Sequence, residues 1–111
     1  MIAFDAVAAA VEVVESGGQW WARSSAGCIG VMQVCPRWAH VPAAWLWHPQ
    51  VNRAEGDRLL RYWLQRSGGD WKLALAGYRC GNGGLRGRCG ARYARAVLRL
   101  VRVLDSPTNT L

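Results

Sequence analysis

The chain has 111 residues, 51% of them hydrophobic and 19% charged, which excludes a disordered tail or a fibrous repeat and allows one domain with one small core. Fourteen basic residues against seven acidic give a net charge of +7, and thirteen of the fourteen are Arg. That balance favours a polyanionic partner such as nucleic acid, an anionic membrane surface or an acidic wall polymer.

The longest apolar run, Ala6–Val11, is far shorter than the roughly 20 residues that span a bilayer. No Lys or Arg precedes it, so the basic start of a secretory signal is missing, and the segment reads as the first helix. Phe4, Val7, Val11 and Val14 follow helical spacing over residues 3–16, and Ser16-Gly17-Gly18 ends the pattern. Residues 19–37 mix Trp20, Trp21, glycines and the β-prone run Val31-Met32-Gln33-Val34, which predicts loop with short extended pieces. A short helix is expected around residues 43–47. Residues 51–66 read as a helix burying Leu59, Leu60, Trp63 and Leu64. Asp70 is placed to cap a helix over residues 71–79, whose Leu73–Gly77 stretch is apolar all round and therefore buried. Residues 80–90 hold five glycines and two cysteines and read as a loop. The last helix, residues 91–104, puts Ala94, Val97, Leu98 and Val101 on one stripe. The class is mainly α, an α+β arrangement with a small extended element around residues 28–35, and residues 1–111 read as a single domain.

Cysteines stand at 28, 35, 80 and 89, without a C-x-x-C pair. With His40 and His48 they match no zinc spacing. They are either two disulfides or four buried thiols. No metal and no cofactor is called for.

The seven acids are few enough to sort individually. On a wheel of about 100° per residue, Glu15 lies about 40° from Val11, at the edge of the apolar face. Desolvation there and the negative end of the helix dipole both favour the neutral acid, as a general acid near neutral pH requires. Asp5 and Glu12 lie further round the same helix. Glu55 and Asp57 are mid-helix, Asp70 is a cap, and Asp105 is in the tail.

From Glu15 onward the chain resembles the soluble lytic transglycosylase domain, the lysozyme-like glycoside hydrolase family 23. The family's Glu-Ser pair is here Glu15-Ser16. A serine six residues before Gly-Leu-Met-Gln is here Ser24, ahead of Gly30-Val31-Met32-Gln33. Pro49-Gln50-Val51-Asn52 and Gly69-Asp70-Trp71-Lys72-Leu73-Ala74-Leu75-Ala76 follow in order. The family's Ala-Tyr-Asn-x-Gly reads Gly77-Tyr78-Arg79-Cys80-Gly81, with Arg79 at the Asn position. Tyr93 and Val97 open the last helix. The resemblance covers roughly residues 12–98.

The resemblance implies a lysozyme-like fold with a cleft at Glu15. It implies cleavage of the β-1,4 bond between N-acetylmuramic acid and N-acetylglucosamine in peptidoglycan. Glu15 is then the sole general acid and base, and the products end in 1,6-anhydro-muramic acid. Ser24, Met32, Gln33, Tyr78, Arg79 and Tyr93 are implied to line the substrate site. An ordinary glycosidase needs a second carboxylate about 5–9.5 Å from the first, and none stands in the 19–37 loop. The alternative on the same fold is a goose-type hydrolase releasing reducing ends. A third reading is a basic module that binds nucleic acid without catalysis, for which the ordered site motifs have no use.

Within this frame local pairing, Cys28–Cys35 and Cys80–Cys89, is favoured over a Cys35–Cys80 link. Arg88, Arg92, Arg95, Arg99 and Arg102 recur at spacings of three and four. They form either a solvated helix face or a surface attracted to the anionic cell envelope. Trp20-Trp21 is divided between core and sugar platform. The expected form is a monomeric wall-digesting enzyme without a signal peptide, acting outside the cytoplasm, such as a phage lysin or a virion-associated module.

Overall fold

A computed structural model describes residues 2–104; Asp105 lies outside them. Among the described residues there are five helices: α1 (Phe4–Ser16), α2 (Pro49–Arg66), α3 (Trp71–Cys80), α4 (Asn82–Leu85) and α5 (Ala91–Leu104). Short 3-10 turns occupy Pro36–Trp38 and Ala43–Trp47. Among the described residues no strand forms. The extended element near residue 30 consists of two isolated bridges, Arg23 to Ile29 and Ile29 to Val34. The mainly α class holds, and no described helix is long and apolar enough to cross a membrane.

The helices follow their local chemistry. Asp70 caps α3, its carboxylate accepting from the Leu73 N–H at 3.2 Å, which satisfies one of the open donors of the first turn. α2 begins two residues before the expected start because Pro49 at its first position needs no N–H partner there. α4 is a helical turn inside the stretch expected as loop. Its glycines carry little helix propensity, but Gly84 lies so close to the Ala76 carbonyl that any side chain would collide with it. Tertiary contact makes that turn.

The chain forms two compact units, one from the residues up to Ala10 together with Leu60 onward, the other Val11–Leu59. In the first, Val7, Ala10, Leu60, Trp63, Ala74, Leu75, Ala94, Val97 and Val101 are buried. α3 packs against α4 and α5. The Trp63 ring lies against Gly77, where a Cβ would stand 2.6 Å from it. Arg61 sits over the Phe4 ring at 3.9 Å, a cation–π contact at the start of α1.

In the second unit the core is Val11, Ile29, Val31, Met32, Val34 and Leu46, with two polar residues among them, Asn52 and Glu55. Val14, expected on the buried face of α1, is 38% exposed. The apolar face of that helix ends a turn early, at Val11.

Glu55 holds the loop before residue 41. Its carboxylate accepts from the His40 backbone N–H at 2.6 Å and from Arg58 at 3.2 Å, while Arg58 also donates to the Trp38 carbonyl at 2.7 Å. Burial works to raise the Glu55 pKa, but the bonds from Arg58 and His40 outweigh it and hold the pKa below the ordinary 4.5. A depressed folded-state pKa contributes stability that is present above the unfolded value and lost as pH falls through the folded one. Wild type is therefore expected to lose stability below about pH 4.5 more steeply than Glu55→Gln. Melting curves between pH 3 and 7 check this, and parallel slopes for the two proteins would contradict it.

Candidate active site

Glu15 occupies the penultimate position of α1 and is half-buried. The next residue fixes the helix end. Ser16 Oγ lies 2.8 Å from the Val31 carbonyl oxygen, to which it donates, and accepts from the Gly18 N–H at 3.0 Å. One hydroxyl thus ties the last turn of α1 to the Gly30–Gln33 segment, and a serine is short enough to do so without leaving the helix end.

That segment is a tight hairpin. Ile29 and Val34 exchange both backbone hydrogen bonds at 2.9 Å, and the Gln33 N–H donates to the Gly30 carbonyl at 3.1 Å. Gln33 is the one non-glycine described residue with positive φ, at 53°. Its side-chain nitrogen donates to the carbonyls of Ala22 at 3.1 Å and Gly30 at 3.0 Å. Those two bonds spend the amide's donors on the protein's own loop, so the group it can offer a ligand is the carbonyl oxygen. Ser24 builds the preceding turn: its hydroxyl accepts from the Cys28 N–H at 3.1 Å, and its own N–H donates to the Cys28 carbonyl at 3.0 Å. Met32 is 1% exposed, packed on Gly56 with its sulfur where a Cβ there would lie. It supports the hairpin from the core side.

Beneath the hairpin stands Asn52, fully buried. Its Oδ1 accepts from the Met32 N–H at 2.8 Å, and its Nδ2 donates to the carbonyls of Ile29 at 2.7 Å and Leu46 at 2.8 Å. Gly30 approaches so closely that a Cβ would collide with the Asn52 amide and lie 2.8 Å from the Leu46 carbonyl oxygen. Sequence reasoning passed over this role, although a signal was present. Stepping back from Trp63 and Leu60 at helical spacing gives Gly56 and Asn52 on the same stripe, a polar residue where core is due.

Two further acids of this unit are engaged by cations. Glu12 receives Arg53 through two bonds, Nε at 3.0 Å and Nη2 at 3.1 Å. Glu55 is held by Arg58 and His40 as described above.

The remaining expected residues lie in the other unit. Tyr78 and Tyr93 are half-buried and Arg79 is exposed. The Arg79 guanidinium lies over the Tyr93 ring at 5.8 Å, so the residue at the family's Asn position partners an aromatic that the resemblance also assigns to the site. Trp20 and Trp21 meet edge to face at 5.8 Å and are 50% and 58% exposed. Neither is core.

Both expected local disulfides are present, Cys28–Cys35 and Cys80–Cys89, and no described cysteine is free. The first closes the two arms of the hairpin just beyond its paired residues. The second clips the end of α3 to Cys89, two residues before α5 begins. Each small ring restricts the unfolded chain by about 2–3 kcal/mol. Replacing both cysteines of either pair by serine is expected to lower stability by about that much, read as a shift of the denaturation midpoint. A midpoint indifferent to both replacement and reductant would contradict the bonds.

A family model described as the transglycosylase SLT domain matches residues 5–98. No curated protein matches the chain.

Proposed function

The chain belongs to the transglycosylase SLT family, whose members are peptidoglycan-cleaving lytic transglycosylases, and from that membership we propose a single-acid cleavage of the bond between N-acetylmuramic acid and N-acetylglucosamine, carried by Glu15. The observation that supports it most is the fixing of Glu15's helix end by its neighbour Ser16, whose hydroxyl donates to Val31 of the Gly30–Gln33 hairpin.

In this mechanism Glu15 donates its proton to the glycosidic oxygen as the bond to the anomeric carbon breaks. The resulting carboxylate then takes the proton of the muramyl 6-hydroxyl while that oxygen bonds to the anomeric carbon. A 1,6-anhydro ring forms, Glu15 regains its proton, and no water is consumed. Engagement of Glu12 by Arg53 and of Glu55 by Arg58 supports a sole acid, because each is held by a cation. In the second unit Ser24 and the Gln33 carbonyl oxygen supply hydrogen bonds to sugar hydroxyl and acetamido groups, and in the first Tyr78 offers its hydroxyl. The Arg79–Tyr93 pair sets a cationic edge suited to an anionic glycan, and the exposed Trp20–Trp21 pair is a platform for a sugar face. Residues 1–111 act as one monomeric catalytic domain on the cell wall, and the exposed arginines of α5 draw it toward anionic envelope polymers.

Mass spectrometry of fragments released from purified peptidoglycan tests the reading. Anhydro-muropeptides are expected. Reducing-end products would replace it with hydrolysis, and no release from any wall would overturn it.

A further inference from the structure

A cavity of about 260 Å³ lies within the first unit, bounded by α3, α4 and α5, and no residue assigned to cleavage lines it. Its walls are small: Ala76, Gly84, Gly87, Ala91 and Ala94, with Leu73 and the Cys89 end of the disulfide. Two cations also line it, Lys72 from α3 and Arg95 from α5. Neither makes an ion pair with a described carboxylate. Both are exposed, so neither is stabilising the fold through a buried partner.

The small walls matter because they keep the space open. Ala76 and Ala94 are buried, at 4% and 2% exposure, and larger side chains at those positions would fill the floor. The volume is just under the range of about 300–1,000 Å³ usual for pockets that hold drug-sized ligands. It suits a compact group with a short apolar body. Two cations without a described carboxylate partner, beside an apolar floor, select an anion, and a planar guanidinium favours a carboxylate, which it meets with two parallel hydrogen bonds.

We propose that this cavity binds the C-terminal carboxylate of a short peptide ending in a small residue, with Lys72 and Arg95 on the carboxylate and the side chain against Ala76, Leu73 and Ala94. This deepens the peptidoglycan reading, on which only the choice of peptide rests, because the peptide arms of that polymer carry such ends.

The test uses the whole chain with its disulfides intact and N-acetyl-D-alanyl-D-alanine as the probe, followed by amide chemical shifts. Saturable shifts are expected at Leu73, Ala76, Ala91 and Ala94. Lys72→Gln with Arg95→Gln should weaken binding about five- to tenfold, as two exposed charge contacts would. Ala91→Leu, an exposed helix position on the cavity wall, should block binding without changing charge. Arg37→Gln, the same loss of an exposed charge outside the cavity, should leave it unaltered. The dipeptide amide should not bind. No saturable shift at these residues, equal binding by the amide, or equal binding by inorganic phosphate overturns the proposal. Shifts in a chain that cleaves no glycan would sink the cleavage reading and leave this site standing. Cleavage without shifts would do the reverse.

Discussion

Glu15→Gln is expected to lower the release of muropeptides by about 10²–10⁴-fold, the share that a positioned acid and base contributes. The substitution keeps the shape and size of a half-buried side chain at the end of α1 and removes its transferable proton. Folding is expected to persist, because the element that secures this helix end is Ser16 on the Val31 carbonyl. Two comparisons separate chemistry from placement. Glu12→Gln disturbs a carboxylate already held by Arg53 and should leave turnover within a few-fold of wild type. Ser16→Ala removes the tie to the hairpin and should cost stability of about 1 kcal/mol together with part of the activity. A Glu15→Gln protein that keeps more than about a tenth of wild-type release would sink the single-acid mechanism, and the search would turn to the remaining carboxylates.

The helices were legible because their signals are local. Periodicity marked α1, α2, α3 and α5, and Asp70 was recognisable as a cap from its place before an apolar run. The hairpin at 29–34 was legible only as an extended tendency. What makes it a defined object is a set of non-local partners: Asn52 from α2, Ser16 from α1 and the Cys28–Cys35 bond. α4 was invisible for the same reason, since its glycines argue for loop and only the closeness of Gly84 to Ala76 explains a helical turn there. The proposals for Glu15, Tyr78 and Tyr93 rest on ordered motifs, a signal independent of spacing on any one helix. The work of Gln33 was hidden because a side-chain amide can serve ligand or loop equally, and only the positions of Ala22 and Gly30 decide that its donors go to the loop. Glu55 was placed mid-helix correctly, but its burial depends on a loop fifteen residues upstream at His40.

Asn52→Ala is expected to be the most damaging substitution to stability, at about 3–5 kcal/mol. Three hydrogen bonds disappear, from a side chain with no exposed surface. Their loss leaves the Met32 N–H and the carbonyls of Ile29 and Leu46 without that partner. A domain with about 5–15 kcal/mol in total then loses a large part of its margin. The damage falls on the hairpin first, because two of the three bonds end there, so activity should fall faster than overall helicity. Asn52→Asp distinguishes a hydrogen-bond role from simple volume. The acceptor for Met32 is kept, but a carboxylate oxygen now faces two carbonyl oxygens where an N–H group stood. Burial and that repulsion favour the protonated form, raising the folded-state pKa above the unfolded one. The variant should therefore be unstable at neutral pH and regain stability as pH falls through its raised pKa, because the acid O–H can donate to one of the two carbonyls. Wild type runs the other way in the acid range, through Glu55. Denaturant melts of the three proteins at pH 4.5 and 7 decide the matter. An Asn52→Ala midpoint indistinguishable from wild type would show that the hairpin is held by its own backbone bonds and the disulfide, and that Asn52 is only filling space.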